Sequence, residues 1–424
     1  MTRIASVAGH ACSSPIDPPQ ERPFHGGVRH LLKRDFVLVV VETADGEVGY
    51  APAGASSSAM REYFEDASQR AFAEFISGAV ADALEGTAVD DPRDVHDALA
   101  NADLGAPESL ETQAASALDV ALHDVRGKEL GAPVYDLIAD DGADVVTELP
   151  LYASAGMYMD PSGYAAQGRT ISELGFVGYK YRPGIGPAAD RRTLELLAGA
   201  LGDDCDMLVD AHTWWKIEES YDRETVTDLV ETAGRFGAGW VEEPVAPDDY
   251  DGYRDLAETG VPLAGGESEH SPEGLIALAD TGAVSFLQGD VRHHRGFTGC
   301  MRAARHVADT DTKFVPHNFG TLLGLVANAH LTAGAPGTDL LEYPVFEDDP
   351  HLDADRDPGM YPFEAAFEIL ETDLDVADGR LVVPDGPGLG VEVDESVVER
   401  YPFREGPWTE FRYDEPGYDE EETG

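Results

Sequence analysis

Three acidic residues, Asp210, Glu242 and Glu267, each close a short apolar run, and the runs recur about every thirty residues. The runs are DMLVD (206–210), GWVE (239–242) and VPLAGGE (261–267). Each is followed by a polar loop and a stretch typical of a helix, which predicts βα units of a parallel sheet. Because the carboxyl ends of all strands open at one mouth of a (β/α)₈ barrel, we expect the three carboxylates to converge there.

Three carboxylates at one barrel mouth need a cation to offset their repulsion. Oxygen ligands without Cys or His among them favour Mg²⁺, with Mn²⁺ as a second possibility, over Zn²⁺. The sequence therefore predicts a Mg²⁺ site at Asp210, Glu242 and Glu267.

The same period places further ionisable residues at strand ends. GYKYRPG carries Lys180 and Arg182, which share a strand face because they are two residues apart. The later runs SFLQGD, KFVPHN and LLEYP carry Asp290, His317 and Glu342. With ELPLYAS (148–154) as the first strand, the predicted strand count is eight. A single strand-end carboxylate is often only a helix cap, but an ionisable group on seven strands favours a catalytic mouth.

Several motifs in order resemble the enolase superfamily, and within it the mandelate racemase and muconate lactonizing enzyme group. The resemblance covers nearly the whole chain. It rests on ASALDVALHDVRGKELGAPVYDLI (115–138), Lys180-Tyr-Arg182, VDAH, VEEP, GGE, QGD and PHN. It implies an α/β fold, a (β/α)₈-type barrel with an α+β capping domain formed by the N-terminal region and the C-terminal segment.

The resemblance also implies roles for the matching residues. The metal ligands would be Asp210, Glu242 and Glu267, the base dyad His317 with Asp290, and Glu342 an acid on the substrate carboxylate side. In this chemistry a base removes the proton beside a carboxylate, and Mg²⁺ stabilises the resulting enediolate.

Three departures from the family pattern limit this transfer. Arg182 stands where several relatives have a second Lys, and a guanidinium cannot act as a general base. We expect Arg182 to orient a substrate carboxylate instead. QGD in place of QPD, and IADDGAD after the signature helix, look structural.

His212 favours elimination over racemisation. It lies two residues beyond Asp210, and strand alternation places both side chains on one face. An acid beside the metal would assist the loss of hydroxide, and Asp-x-His at this strand resembles sugar-acid dehydratases. Racemisation needs two opposed bases, and Lys180 as a second base keeps that alternative open. A hydrogen-bonding support role beside Trp214 and Trp215 is the alternative for His212.

The predicted function is therefore a Mg²⁺-dependent dehydratase, a hydro-lyase that converts an aldonate to its 2-keto-3-deoxy acid. The alternative among enzymes is a racemase, epimerase or cycloisomerase of a carboxylate substrate on the same scaffold. A binding or regulatory protein on the same barrel is a third possibility. Loss of a predicted metal ligand or of His317 would have indicated it, but the sequence retains all of these residues. The expected partner is a small sugar acid, and we also expect a homo-oligomer.

The charge balance is strongly acidic. Lys and Arg number 29 against 82 Asp and Glu, and the formal charge is -53. Nucleic-acid binding is not expected with this balance. The acids are spread along the chain, and 42% of residues are hydrophobic, so a packed core with an acidic coat is expected rather than disorder. Such a coat suggests a salt-rich cytoplasm, as in a halophilic archaeon; unusual solubility in a mesophile is the alternative.

Salt should stabilise this protein. At ~1 M salt the Debye length is about 3 Å, so repulsion between surface carboxylates is screened. We expect the thermal midpoint to rise substantially between dilute buffer and molar KCl, measured by calorimetry or circular dichroism. A flat response would mean that the acidic coat has another explanation.

Cysteine usage and the absence of long apolar runs predict a cytoplasmic protein. Cys12, Cys205 and Cys300 are too few and too scattered for a disulfide framework. The N-terminal stretch lacks a signal-peptide core, and no run approaches membrane-spanning length, so no membrane partner is expected.

The chain length leaves room for a barrel and a second domain. The predicted domains are a capping domain at 1–146, completed by 346–424, and a catalytic barrel at 147–345. Within the cap we predict strands near 36–42 and 47–51 and helical stretches at 57–85 and 109–131, with 381–394 as a segment that returns to it. Loops in 10–26 and 52–58 are expected to touch the substrate. Possible contacts are Arg29, His25 and His30, although ordinary loop polarity explains them equally well.

Overall fold

The computed structural model describes residues 2–56, 60–61, 63–64, 67–89 and 91–418. Its strands are β1 Thr2–Phe24, β2 Gly27–Thr43, β3 Val48–Ala53, β4 Ala88–Val89, β5 Glu148–Met157, β6 Gly178–Arg182, β7 Asp206–Asp210, β8 Ala238–Glu242, β9 Leu263–Gly265, β10 Phe286–Leu287, β11 Lys313–Phe314, β12 Leu341–Pro344, β13 Val376–Ala377, β14 Arg380–Val382 and β15 Thr409–Arg412. Its helices are α1 Gln69–Phe75, α2 Ala81–Leu84, α3 Asp94–Ala102, α4 Glu108–Leu130, α5 Val134–Ile138, α6 Pro161–Glu173, α7 Pro187–Ala198, α8 Thr213–Lys216, α9 Arg223–Arg235, α10 Tyr250–Ala257, α11 Pro272–Asp280, α12 Gly296–Val307, α13 Leu322–Gly334, α14 Glu364–Glu368 and α15 Val397–Arg400. A π-helical turn, Ile76–Val80, joins α1 to α2, and Ala354–Arg356 form a 3₁₀ turn.

An antiparallel sheet forms the cap. Strands β1 and β2 pair as a long hairpin, β3 pairs with β2, β4 pairs with the start of β1, and β15 brings the C-terminal part of the chain onto β2. The predicted strands at 36–42 and 47–51 are confirmed. Loops were predicted within 10–26, and the structure narrows them to residues 25–26, because β1 runs to Phe24 and β2 begins at Gly27. The pairing shifts register between Pro15 and Gln20, which accommodates the prolines of this strand.

Helix α4 is the predicted helix at 109–131, and it packs directly on the cap sheet. A Cβ added to Gly49 on β3 would lie 2.1 Å from the carbonyl oxygen of Ala121, so only glycine permits this close approach. The prediction of a helical stretch at 57–85 is confirmed from residue 69 onward, and part of its first half lies outside the described residues. None of the described helices combines the length and hydrophobicity that crossing a lipid bilayer requires.

Eight parallel strands, β5 to β12, form the predicted barrel in chain order, and β12 pairs back onto β5. Among the described strands, no ladder joins β11 to β12. Hydrogen bonds that involve side chains close this seam instead. Thr338 Oγ1 donates to the carbonyl of Phe314 at 3.0 Å, and the backbone N–H of Asn318 donates to Glu342 Oε2 at 2.9 Å. The α/β barrel with its cap is therefore confirmed.

The segment after the barrel serves both parts of the fold. Strands β13 and β14 form a hairpin, and β14 pairs antiparallel with β5 of the barrel. The prediction that 381–394 returns to the cap is thus wrong for its first residues. Further along, Leu389 N donates to Asp124 Oδ1 of helix α4 at 2.9 Å. The domain limits at residues 146 and 346 stay a prediction.

Asp119 of α4 joins the cap to the barrel helix α12. Its fully buried carboxylate accepts hydrogen bonds from His96 Nε2 at 2.9 Å and from Thr298 N at 3.2 Å, and His123 Nδ1 lies 3.3 Å away. Burial opposes its charge, but His123 and His96 outweigh burial and hold the pKa of Asp119 below its usual value. A carboxylate held ionised in this way stabilises the fold above its unfolded pKa, and that contribution is lost as the pH falls.

Replacing Asp119 by Ala should therefore cost about 3–5 kcal/mol of unfolding free energy at neutral pH, because the buried partners lose their acceptor. Chemical denaturation would measure this. The difference from the parent protein should shrink as the pH falls below about 4, where the unfolded-state carboxylate is protonated. Asp97→Asn, an exposed change on α3, serves as the control. A variant as stable as the parent would contradict this linking role.

Candidate active site

Lys180 lies at the centre of the barrel mouth and is fully buried. Its Nζ is 2.9 Å from Glu242 Oε1 on β8 and 2.7 Å from Glu342 Oε1 on β12. Burial opposes the charge, but these two carboxylates outweigh it and raise the pKa of Lys180 well above its usual value. Lys180 is therefore held as a cation that bridges two strand-end acids.

Two aromatic side chains and an amide form the floor beneath these acids. Trp240 Nε1 donates to Glu242 Oε2 at 3.1 Å, and Gln288 Nε2 donates to the same oxygen at 2.9 Å. Tyr152 donates its hydroxyl to Glu342 Oε2 at 3.1 Å, and the Tyr152 and Trp240 rings meet edge to face at 5.2 Å. The orientation of both carboxylates is thus set by rigid groups of the barrel interior.

Asp210 ends β7 directly beside Glu242, its register partner on β8. Arg182 Nε lies 3.2 Å from Asp210 Oδ2, and His212 Nδ1 lies 2.5 Å from Asp210 Oδ1. Burial opposes the charge of Asp210, but His212 and Arg182 lower its pKa below the usual value. His212 Nδ1 is also 4.0 Å from Glu267 Oε1, so it faces two of the predicted metal ligands. Burial lowers the pKa of His212 itself.

His317 is held between two carboxylates. Its Nδ1 is 2.9 Å from Asp290 Oδ2, and its Nε2 is 2.9 Å from Glu267 Oε2. Burial alone would lower the pKa of His317, but Glu267, Glu342 and Asp290 together raise it to about 10. The pairing with Glu267 and Asp290 therefore favours the protonated imidazole.

Sequence reasoning missed Arg292, which supports Asp290. The guanidinium forks onto Asp290, with Nε 3.1 Å from each carboxylate oxygen, and its NH1 donates to the carbonyl of Phe319 at 2.7 Å. Burial would raise the pKa of Asp290, but Arg292 and His317 hold it well below the usual range. The signal was available, because Arg292 stands two residues after Asp290 and can fold back onto it.

Glu243 was also missed, and it anchors the loop that carries Glu267. Its carboxylate accepts hydrogen bonds from Ser268 N at 3.0 Å and Ser268 Oγ at 2.7 Å. Gly266 has φ +131, a conformation that side chains rarely adopt, and it turns the chain between the end of β9 and Glu267. Both acids of the VEEP motif therefore serve the site: Glu242 as a predicted metal ligand and Glu243 as the anchor of the Glu267 loop.

The structure brings all the predicted site residues to one mouth. Among the described residues, no three His, Cys, Asp or Glu side chains stand close enough together to hold a metal ion. Nitrogen groups of the site hold the three predicted ligands instead. They are Lys180 on Glu242, His317 on Glu267, and Arg182 with His212 on Asp210.

The donor set nevertheless fits a hard cation. Asp210, Glu242 and Glu267 present only carboxylate oxygens, the ligands that Mg²⁺ prefers. Within the described chain, Asp210 Oδ2 is buried and has no hydrogen-bond partner of acceptable geometry. Burial and the neighbouring carboxylates raise the pKa of Glu242, although Lys180 acts in the opposite direction. A buried acid in this position gains from added positive charge.

A cavity of about 280 Å³ lies between the cap and the barrel mouth. Its walls include residues 52–56 of the predicted substrate loop, with Arg34, Arg292 and Phe319; residues 57–58 of that loop lie outside the described residues. A separate cavity of about 400 Å³ lies at the other end of the barrel, beside Lys313, and contains none of the predicted site residues.

The three cap residues named from sequence lie along the hairpin. His25 N donates to the carbonyl of Gly184 at 2.8 Å, in the loop after β6. His30 Nε2 lies 2.9 Å from Glu415 Oε2, and Arg29 Nε donates to Thr409 Oγ1 at 3.0 Å. Their contact with substrate stays a prediction.

Two family models match consecutive parts of the chain. Residues 14–139 match the mandelate racemase / muconate lactonizing enzyme N-terminal domain, and residues 163–397 match the enolase C-terminal domain-like family. The chain belongs to the enolase superfamily. This confirms the predicted family and the prediction of an enzyme related to hydro-lyases.

Individual relatives are consistent with this membership. The chain is 28% identical to a D-galactarolactone cycloisomerase of Agrobacterium fabrum, over 98% of this chain and 100% of the relative. It is 26% identical to a D-xylonate dehydratase of Haloferax volcanii, over 68% of this chain and 69% of the relative. A crystal structure of an enolase superfamily member from a Polaromonas species has a TM-score of 0.79 and 26% identity, over 98% of this chain and 100% of that one.

Proposed function

We propose that this superfamily member is a Mg²⁺-dependent sugar-acid dehydratase that converts an aldonate to its 2-keto-3-deoxy acid. The observation that carries the proposal is the placement of two different histidines at one mouth. His317 is backed by Asp290, and His212 stands apart from it against Asp210. Elimination of water uses one base and one separate acid, and these two histidines can supply them.

Asp210, Glu242 and Glu267 would hold the cation. A divalent ion bound there supplies positive charge to the carboxylate end of the substrate, where negative charge develops during proton removal. Mn²⁺ would serve the same purpose. Arg182 lies at the same edge, with NH1 3.2 Å from the carbonyl of Ala155 and NH2 3.1 Å from Ser154 Oγ. It would orient the substrate carboxylate.

His317 would remove the proton from C2. Asp290 accepts from Nδ1 and thereby directs Nε2 towards the reacting carbon, and Arg292 keeps Asp290 ionised. His317 can accept a proton only in its neutral form, so its pairing with Glu267 must be relieved before turnover. Engagement of Glu267 in another interaction would lower the pKa of His317 towards its usual range.

His212 would protonate the departing hydroxide. The electron pair of the broken C2–H bond first moves onto the substrate carboxylate, which gives the enediolate. It then returns to form the C2–C3 double bond as the C3–O bond breaks, and the hydroxide leaves as water with the proton of His212. The enol that remains takes up a proton at C3 and loses the proton of its C2 hydroxyl, which gives the 2-keto acid. The balance is the loss of one water from the substrate. Lys180 and Glu342, which form an ion pair, would lie beside the substrate carboxylate and keep it in position.

A lactone cycloisomerase is the second candidate, because one relative over the full chain length has that activity. In a lactone the group that leaves is a carboxylate, which needs less acid assistance than hydroxide. A racemase would need Lys180 as a second base. The raised pKa of Lys180, which results from Glu242 and Glu342 despite burial, disfavours that role.

Incubation with a panel of aldonates, aldarates and their lactones in D₂O would test the proposal. NMR of products and recovered substrates should show one keto acid from an open-chain acid and no epimer. Keto acid from lactones alone would favour the cycloisomerase. Deuterated, inverted substrate without any keto acid would favour the racemase.

A further inference from the structure

Three arginines meet where strand β2 of the cap faces the barrel mouth. Arg34 and Arg182 lie on the same ring, that of Phe319, with guanidinium carbons 5.4 Å and 4.8 Å from its centre. Arg29 and Arg34 likewise share the ring of Trp408, at 4.9 Å and 4.8 Å. We name Arg29, Arg34 and Arg182 the arginine cluster.

Two members of the arginine cluster form no direct ion pair among the described residues, although Asp35 lines the same cavity as Arg34 and pairs with Lys33 at 3.1 Å. In a chain with 82 acidic and 29 basic residues, carboxylate partners are abundant. Yet within the described residues, neither Arg29 nor Arg34 forms an ion pair, and Arg34 Nε is buried without an acceptor. Arg29 Nε donates to Thr409 Oγ1, and its NH1 donates to the sulfur of Met157 at 3.2 Å. Burial and repulsion from Arg34 and Arg182 lower the pKa of Arg29.

Other unsatisfied polar groups surround the cluster. The hydroxyl of Tyr361 is buried without a hydrogen-bond partner among the described residues, and the Tyr361 ring centre lies 5.7 Å from the Arg34 guanidinium. His293 Nδ1 is also buried without a partner in the described chain, and His293 lines the 280 Å³ cavity together with Arg34 and Phe319. Unpaired buried polar groups are costly, so several in one place, with the Arg34 donor among them, indicate a polar partner that the chain itself does not supply.

The cavity adjoins the site proposed above. Arg292, which supports Asp290, forms part of its wall, and Phe319 follows His317 by two residues. Arg182 contacts both the Phe319 ring and Asp210. A substrate whose reacting carbon faces His317 can therefore extend its far end towards Arg34.

We infer that Arg34 of the arginine cluster binds a second carboxylate at the far end of the substrate, so that the preferred sugar acid is a diacid, an aldarate, in place of an aldonate. This rests on the proposed function for the position of the reacting end. Guanidinium groups match carboxylates in geometry and form two parallel hydrogen bonds with them. A mono-acid would leave the donors of Arg34 unpaired, whereas a diacid would satisfy them.

Isothermal calorimetry with the full chain in Mg²⁺ tests the inference separately from turnover. The probes are galactarate, galactonate and 6-phosphogluconate. Galactonate lacks the second terminal carboxylate of galactarate, and 6-phosphogluconate carries a phosphate at that end. We expect galactarate to bind about 10-fold to 100-fold more tightly than galactonate, the range for hydrogen bonds to a charged group. Equal affinities, or tighter binding of 6-phosphogluconate than of galactarate, would overturn the inference.

Arg34→Met should remove this preference by weakening galactarate about 10-fold to 100-fold and leaving galactonate nearly unchanged. Arg34→Lys should restore part of it. Arg191→Met is the matched control, because Arg191 is half exposed on α7 and pairs with Asp228. If Arg34→Met does not fold, the Arg34→Lys variant and the comparison of galactarate with galactonate binding in the parent protein still test the inference. If galactonate yields keto acid but galactarate does not bind more tightly, this inference alone is overturned. If galactarate binds more tightly but no sugar acid yields keto acid, only the proposed function is overturned.

Discussion

Replacing His317 by Asn is expected to abolish turnover of every sugar acid that the parent protein accepts. Asparagine can still donate towards Asp290, but its amide cannot take up a proton. The loss should be at least about 10²–10⁴-fold, the usual contribution of a positioned base. The loss should extend to exchange of the C2 proton with D₂O, since that exchange needs the same base.

His212→Asn is the matched comparison for this prediction. It removes the proposed leaving-group acid and retains His317, so it should slow keto-acid formation more than it slows deuterium exchange at C2. NMR of recovered substrate and product measures both rates in one sample. Undiminished deuterium exchange in His317→Asn would contradict the base assignment. Equal slowing of both rates in His212→Asn would assign His212 to support of Asp210 only.

The strand ends were predictable because the barrel repeats one local rule. Each parallel strand delivers its last side chains to one mouth, so Asp210 and Glu242 could be placed from the apolar runs, and β7 and β8 end at these residues. Glu267, Asp290 and His317 follow short strands by two or three residues. Their convergence depends on loop geometry as well as on strand direction.

Contacts across loops and between domains were not predictable in the same way. The fork of Arg292 on Asp290 and the anchoring of Ser268 by Glu243 depend on backbone turns that no periodicity reveals. Likewise, the prolines in β1 resemble a loop in sequence, but the long β2 strand pairs with them through a register shift. Tertiary pairing overrides local preference at such positions.

The arginine cluster is another contact between distant parts of the chain that the sequence did not predict. Arg29 and Arg34 lie on one strand, and the sequence suggested only Arg29 as a possible contact. Their meeting with Arg182 requires the β2 strand to cross the barrel mouth and the C-terminal segment to supply Trp408. Residues far apart in the chain build this surface, so spacing alone could not reveal it.

Glu242→Gln is expected to be folded but inactive, and excess chelator should inactivate the parent protein until Mg²⁺ is restored. Glutamine keeps the shape of the side chain and an oxygen for Trp240 and Gln288, but it removes the negative charge from the proposed metal site. Loss of a charged ligand should lower activity by at least about 100-fold, since even changes around metal ligands cost 10–100-fold.

Stability provides a second readout of this site that does not need a known substrate. A ligand that binds only the folded state raises the thermal midpoint, so Mg²⁺ should stabilise the parent protein measurably more than Glu242→Gln. Glu273→Gln is the control, because Glu273 is half exposed on α11 and pairs with Arg302 outside the mouth. Mg²⁺ should stabilise this variant as it does the parent. Full activity in excess chelator, or equal Mg²⁺ stabilisation of Glu242→Gln and the parent, would contradict a cation held by these three carboxylates.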